Sequence, residues 1–234
     1  MPAARTGGRA MAAVAVLATA GCGPLVKIGD APPPPAVLFA LRAAPDGPAA
    51  TLPPEIVGTP ATPGAAGAAG AEAAAARTIV VELPMPAAAL RTVRVPVATG
   101  DTRIAYLKDA LWLEPPARQL QRLLLDHVAR QPGVVALDPR LYDGPVERRL
   151  GGTLADFGLD VRVAGRPLAT LRFDAVLTGA RGALVATRRF EVTRPAASSQ
   201  PRDVTEALNA IANEAAALVA AWAAGAPSPA SAGP

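Results

Sequence analysis

The residue types that most often carry chemistry are scarce in this chain. One cysteine, Cys22, and one histidine, His127, occur among 234 residues. A single cysteine cannot form an intramolecular disulfide, and a free thiol is a liability in an oxidising compartment. The sequence therefore favours a use of Cys22 that consumes its sulfur atom, such as thioether linkage to a diacylglycerol.

The residues before Cys22 have the composition of a secretory signal. Two arginines precede an apolar run, Ala10 to Ala20, which is shorter than the about 20 residues that span a bilayer. The sequence Leu17-Ala18-Thr19-Ala20-Gly21-Cys22 resembles the lipobox of bacterial lipoproteins, with Thr19 where leucine is usual. We predict a signal peptide over residues 1–21 and lipidation of Cys22. The alternative is an unmodified cysteine inside an uncleaved leader.

The sequence contains no recognisable catalytic or metal-binding motif. Without a second histidine, and with Cys22 lipidated, His127 can complete neither a Cys–His pair nor a common zinc site, so it is interpreted as a surface or half-buried helix residue. No GxxxxGK[ST] loop is present for nucleotide phosphates. Asp156, Asp160 and Asp174 are interpreted as strand and turn residues. The sequence predicts no catalytic residue, no metal, no cofactor and a protein that is not an enzyme.

The basic residues do not form a nucleic-acid footprint. Cleavage before Cys22 leaves 21 basic and 19 acidic residues, of which only Lys27 and Lys108 are lysine. The arginines are scattered among acids, and aromatic residues make up 3% of the chain, too few for base stacking. We predict no nucleic-acid partner, and we expect the doublets Arg148-Arg149 and Arg188-Arg189 to be solvated.

Composition separates an ordered domain from low-complexity segments. Residues 22–36 are proline-rich and are predicted to be a lipidated tether of extended polyproline geometry. A single domain is predicted over 37–224, with a disordered Ala/Pro/Gly-rich insertion at 43–76 that cannot bury enough surface to offset its ordering entropy. An alanine-rich helix over 65–77 is the alternative, although three glycines weaken it by about 1 kcal/mol each. Residues 225–234 are predicted to be a disordered tail.

Period-two and β-branched patterns predict the strands. Residues 169–177 and 184–193 alternate apolar with polar side chains around a glycine-containing turn and predict a hairpin, although Arg188 falls on the apolar side. A third antiparallel partner is expected over 149–163, where Gly151-Gly152 indicates a bulge or a close backbone approach. Shorter apolar or β-branched runs predict further strands over 37–41, 78–83, 92–97 and 134–137.

Period-3.6 patterns predict two helices. One opens at Pro115-Pro116 and ends at Pro132-Gly133, and the other begins near Pro201 and carries an apolar stripe interpreted as core packing rather than a partner interface. Together these elements predict an α+β fold of two layers. We expect a mixed, mostly antiparallel sheet of four to six strands with two main helices packed on one face.

Several segments occur in a recognisable order along the chain. They are the lipobox at Cys22, the run 37–41, the Trp-Leu-Glu-Pro stretch within Tyr106–Pro115, the phenylalanine segment Leu154–Gly158, the strand Gly182–Phe190 and the closing helix. This order resembles the ABC-type transport auxiliary lipoproteins, which accompany mammalian-cell-entry (MCE) domain lipid transporters. The chain departs from that pattern at Ala110-Leu111, where polar and aromatic residues are common.

The resemblance implies a lipid-anchored, non-enzymatic periplasmic subunit that helps to move lipids or other hydrophobic compounds across the cell envelope. It implies as partners an MCE-domain protein with an ABC permease and ATPase, and it leaves a homo-oligomer open. Trp112 and Glu114 become candidate partner-binding residues, although Trp112 has the alternative of a core or loop anchor. Gly23, where sorting rules would need aspartate, favours the outer membrane over the inner membrane.

Two other functions stay open at this stage. The first is an outer-membrane assembly or cell-wall-synthase regulatory lipoprotein, which would share the anchor and the absence of catalytic residues. The second is a lipid-anchored hydrolase, which requires a cluster of perturbed carboxylates in a cleft.

Overall fold

A mixed sheet of nine strands carries the fold in the computed structural model, which describes residues 37–45, 77–142, 144 and 146–226. The strands are β1 (Val37–Phe39), β2 (Arg77–Val81), β3 (Met85–Pro86), β4 (Arg94–Ala98), β5 (Ile104–Trp112), β6 (Val134–Leu137), β7 (Arg148–Asp160), β8 (Leu168–Gly179) and β9 (Leu184–Pro195). The helices are α1 (Pro116–Ala129) and α2 (Pro201–Gly225). The predicted α+β class with two main helices is confirmed, but the expected four to six strands were too few.

The predicted signal peptide and tether, Cys22, and nearly all of the predicted insertion and tail lie outside the described residues. Residues 43–45, at the start of the predicted insertion, are described, and Ala44 N donates to Asn213 Oδ1.

The long strand β7 organises the sheet. Along one edge it pairs antiparallel with β8, and β8 continues antiparallel into β9, as the alternating pattern predicts. Along its other edge β7 pairs in turn with β2, β3 and β4, each parallel. β6 extends the sheet beyond β2, and β5 followed by β1 extends it beyond β4. Three short segments thus share one edge of a single strand.

β5 is the principal strand that the sequence pattern missed. Its ladder to β4 shifts register between Arg94 and Pro96, because four residues of β5 face Val95 alone. Pro96 has no amide hydrogen to donate, which favours an interruption at this point. The extra residues bulge outward and include Asp109, whose φ of 56° lies in the left-handed region. The bulge breaks the period-two pattern that would have indicated a strand.

The two helices pack on each other and on the sheet. Leu120, Leu123, Leu124 and Val128 of α1 are buried, as predicted from their spacing. Six of the twelve buried residues of α2 are alanines, whose small side chains allow a close approach to the sheet. By length and composition alone α2 could cross a membrane, but 56% of its most apolar window is buried inside the domain, as in a core helix.

Arg148 is buried, which corrects the expectation that both members of its doublet are solvated. Its side chain is 1% exposed and its two terminal nitrogens donate to Ala223 O (2.9 Å) and Ala226 O (2.8 Å) at the carboxyl end of α2. Burial lowers the pKa of Arg148. A guanidinium in this position satisfies carbonyls that a helix leaves without partners. The neighbouring Arg149 is partly exposed and pairs with Glu82 at 2.6 Å.

Residues 40–45, which we call the strap, cross both helices in an extended conformation. Leu41 N donates to Gln119 Oε1 of α1 (2.6 Å), and Ala44 N donates to Asn213 Oδ1 of α2 (2.8 Å). Asn213 Nδ2 donates in return to Arg42 O (2.8 Å). Side-chain amides thus hold the backbone of the segment that connects β1 to the rest of the domain.

Candidate partner-binding surface

Trp112 lies in the core at the end of β5. Its side chain is 1% exposed and its ring stacks on Phe157 of β7, with centroids 5.5 Å apart. Backbone pairing fixes it on both sides, because Trp112 N donates to Val93 O (2.7 Å) and Leu113 N donates to Phe39 O (2.7 Å). Trp112 Nε1 is buried and has no hydrogen-bond partner among the described residues.

Glu114 lies at the surface, where the chain turns from β5 into α1. Its carboxylate pairs with Arg122 at 3.0 Å, and its backbone oxygen accepts a hydrogen bond from Gln119 Nε2 (2.7 Å). Both charged side chains remain well exposed, so the pair contributes little to stability. Glu114 is therefore accessible to a partner, whereas Trp112 is covered.

Two open clefts flank the end of β5. The first, the Trp112 cleft, has a volume of about 280 Å³ and lies between the strap and the first turns of α2. It is lined by Phe39, Ala40, Arg42, Trp112, Arg202, Thr205, Glu206 and Asn209. The second, the Glu114 cleft, has a volume of about 330 Å³ and is lined by Glu114, Pro115, Arg118, Gln121, Arg122 and Arg140. The two predicted residues thus line different clefts of the same region.

The Glu114 cleft carries more positive than negative charge. Of its three arginines, Arg122 pairs with Glu114 and Arg140 pairs with Asp138. The hydrogen bonds from Arg140 hold the pKa of the Asp138 carboxyl below its usual value. Arg118 is exposed and makes no ion pair within the described part of the chain. The cleft therefore presents a cation to an approaching partner.

The sequence did not single out these arginines. Arg118 and Arg122 stand four residues apart on α1, which places them on one exposed face of a helix. That spacing could have indicated a basic surface on α1. Arg140 follows β6 in sequence, and only the tertiary fold brings it to the same cleft.

The predicted non-catalytic residues lie at ordinary positions. His127 is half-buried between the helices, with Nε2 3.3 Å from Asn213 Oδ1. Arg162 and Arg189 hold the pKa values of Asp160 and Asp174 below the usual range through hydrogen bonds, whereas burial raises the pKa of Asp156. Within the described ranges, no three His, Cys, Asp or Glu side chains group so as to hold a metal ion.

Comparison with known proteins gives one family. The model of the family described as "ABC-type transport auxiliary lipoprotein component" matches residues 60–220. A search of curated proteins finds no match to this chain.

Two crystal structures share the fold. A protein from Xanthomonas campestris aligns with a TM-score of 0.57 and 19% identity, over 62% of this chain and 82% of that one. A second, uncharacterized protein aligns with a TM-score of 0.54 and 20% identity, over 62% of this chain and 90% of that one. At these identities the likeness concerns the fold alone. Because the family match spans more than half of the sequence, the chain belongs to the family of ABC-type transport auxiliary lipoprotein components.

Proposed function

We propose that this protein is a lipid-anchored periplasmic accessory subunit of an ABC-type transporter with an MCE-domain component. In this role it helps to move lipids or hydrophobic compounds across the cell envelope while other chains hydrolyse ATP. The observation that carries the proposal is the family membership, because the family is one of transport components and not of enzymes.

The partner-binding surface that we propose is the region around the end of β5. It combines features typical of an interface centre: the exposed Leu113 (57%), Arg118 without an ion pair to any described residue, and the Trp112 and Glu114 clefts. Trp112 contributes indirectly: its covered ring packs on Phe157 and holds the end of β5, whose backbone pairs with Phe39 and carries Leu113. The partner contact predicted for Trp112 thus becomes a positioning role.

The proposed anchor limits where the partner can be. Fifteen residue steps separate Cys22 from Val37, so a fully extended tether reaches at most about 50 Å. The domain accordingly stays near the membrane that holds its lipids, and the transporter component has to extend to it. We propose the periplasmic side of the outer membrane for this anchor.

Affinity purification of the full chain from its native membranes, after brief chemical cross-linking, tests the proposal. The expected result is recovery of an MCE-domain protein, with the permease and the ATPase in the same sample. Recovery of only outer-membrane assembly proteins or cell-wall synthases would instead assign the chain to envelope assembly.

Matched variants test the surface. Leu113→Asp and Arg118→Glu are expected to lower recovery of the MCE-domain protein by about tenfold, since each places an unfavourable charge in the interface. Val163→Asp is the control, because Val163 is equally exposed (56%) in the turn between β7 and β8. Trp112→Phe is expected to retain partner binding. A tenfold loss of partner recovery in a folded Trp112→Phe variant would instead identify Trp112 as a direct partner contact.

A further inference from the structure

The carboxyl half of α2 presents an apolar surface beside the edge strand β9. Leu218 is 49% exposed, and Ala217, Ala221 and the partly exposed Trp222 lie on the same side of the helix. No charged residue follows Glu214 in the sequence. An exposed helix stripe of a water-soluble domain is normally polar, so this half of α2 is exceptional.

β9 continues the same surface. Arg194 pairs with Glu214 at 3.1 Å, and Phe190 packs edge-on against Trp222, with ring centroids 5.7 Å apart. The strand and the helix therefore run side by side in opposite directions. Toward the start of β9, this helix-facing side carries the partly exposed Ala186, and the register shift of the β8–β9 ladder ends it there.

Arg188 lies within this apolar surface, which explains why it falls on the apolar side of the strand pattern. Its guanidinium stands 5.1 Å from the centroid of the Phe190 ring, a cation–π contact. It makes no ion pair with any described residue, whereas Arg189 on the opposite face pairs with Asp174 at 2.6 Å. We call Ala186, Arg188, Leu218, Ala221 and Trp222 the α2–β9 patch.

We propose that the α2–β9 patch docks on the surface of a lipid bilayer that contains anionic phospholipid. Leu218 and Trp222 enter the headgroup region, and Arg188 faces lipid phosphates. Apolar side chains beside a tryptophan and an uncompensated arginine are the composition of an interfacial membrane contact. A guanidinium pairs well with phosphate because it offers two parallel N–H donors.

Charge disfavours a two-fold contact with a second copy of the chain. Such a contact places the same patch on both sides of the interface, so it adds a second Arg188 and no anion. Contact of the patch with a different face of another copy would be detected as self-association in the experiment below. The bilayer supplies the missing anion. In the cell this contact rests on the proposed lipid anchor, which keeps the patch close to a membrane. Leu218 lies about 20 Å along α2 from the Trp112 cleft, a distance shorter than the extended tether.

Vesicle binding of the chain from residue 22 onward, with Cys22→Ala and Trp112→Phe, tests the proposal without the anchor. Trp222 is then the sole tryptophan. With vesicles of phosphatidylethanolamine and phosphatidylglycerol, its emission is expected to shift to shorter wavelength and to be quenched by brominated acyl chains. If Trp112→Phe does not fold, Trp112 is kept and the Trp222→Phe spectrum is subtracted.

Three variants distinguish the outcomes. Leu218→Asp and Arg188→Glu are each expected to weaken vesicle binding by about tenfold, which corresponds to burial of one leucine or loss of one charge-assisted contact. Val163→Asp should leave binding unchanged. An absent emission shift, an equal loss with Val163→Asp, or self-association or binding to an acidic protein in place of vesicles would overturn the proposal. This assay depends neither on lipidation of Cys22 nor on a transporter partner. A negative vesicle result would therefore overturn the membrane-docking proposal without bearing on the proposed function.

Discussion

Arg148 shows how one buried cation can hold a helix end. Replacing it with methionine leaves Ala223 O and Ala226 O without their donors in the core, and we expect the free energy of unfolding to fall by about 3 kcal/mol. Urea denaturation followed by circular dichroism measures this change. Arg149→Met is the matched control and should cost less than about 1 kcal/mol, because Arg149 is partly solvated. Equal losses in the two variants would contradict the capping role.

Position 152 accommodates only glycine without backbone strain. Its φ is +146°, and an added Cβ would overlap the backbone oxygen of Asp174 on β8. We expect Gly152→Ala to cost about 2 kcal/mol. An added Cβ on Gly151 would meet Glu82 Cβ at an ordinary 3.6 Å, so Gly151→Ala should change stability by less than about 0.5 kcal/mol. The urea midpoints of the two variants give the comparison.

The two glycines also show what a sequence can and cannot distinguish. The expectation of a bulge or a close approach at Gly151-Gly152 is confirmed as a close approach at Gly152. The register shift of the β7–β8 ladder lies instead between Leu154 and Asp156. A glycine pair indicates a local need for space, but the partner strand decides which glycine meets it.

At the scale of elements, the strap depends on Asn213. Asn213→Ala removes the acceptor for Ala44 N and the donor to Arg42 O, so we expect the amide of Ala44 to exchange with deuterium at least about tenfold faster. Asn209→Ala is the control, because Asn209 Oδ1 accepts only from Arg42 N (2.8 Å). Exchange mass spectrometry of the peptide 37–45 gives the rates. Unchanged exchange at Ala44 would contradict the role of Asn213 in holding the strap.

Elements with one dominant period could be predicted from the sequence, and the others could not. The meander of β7, β8 and β9 and both helices were expected because each alternates or repeats over many residues. β3 has two residues and β5 has a bulge, so neither shows a period. The strap carries alanines whose backbone is recognised, and no side-chain pattern reports that.

The same limit applied to the candidate site. Trp112 and Glu114 were found through a resemblance of the Trp-Leu-Glu-Pro stretch, which does not indicate burial. Arg140 reaches the Glu114 cleft through the fold alone. The apolar stripe of α2 was expected to be core packing, which holds for Val204 and Leu208, but Leu218 lies on the exposed side.

At the scale of the whole molecule, the proposed anchor determines where the protein works. Cys22→Ala removes the acyl chains and leaves only the reversible contact of the α2–β9 patch, so a high-salt wash should release this variant, but not the native protein, from the membrane fraction. Gly23→Asp is the matched variant: it should keep the protein membrane-bound but shift it toward the inner membrane. Sucrose-gradient fractionation with immunoblotting distinguishes these results. Mass spectrometry that finds an unmodified thiol on native Cys22 would contradict the anchor.

The shared edge of β7 has a consequence for how the chain folds after export. β2, β3 and β4 all precede β7 in the chain, so during translocation from the amino end they emerge before the strand that pairs with them. Although β4 can already pair with β5, and β2 with β6, no strand joins these pairs and β3 into one sheet until β7 arrives about 50 residues after β4, and such incompletely paired segments are prone to aggregate. Biogenesis of this subunit should therefore rely on a periplasmic holding chaperone until its last third has been secreted.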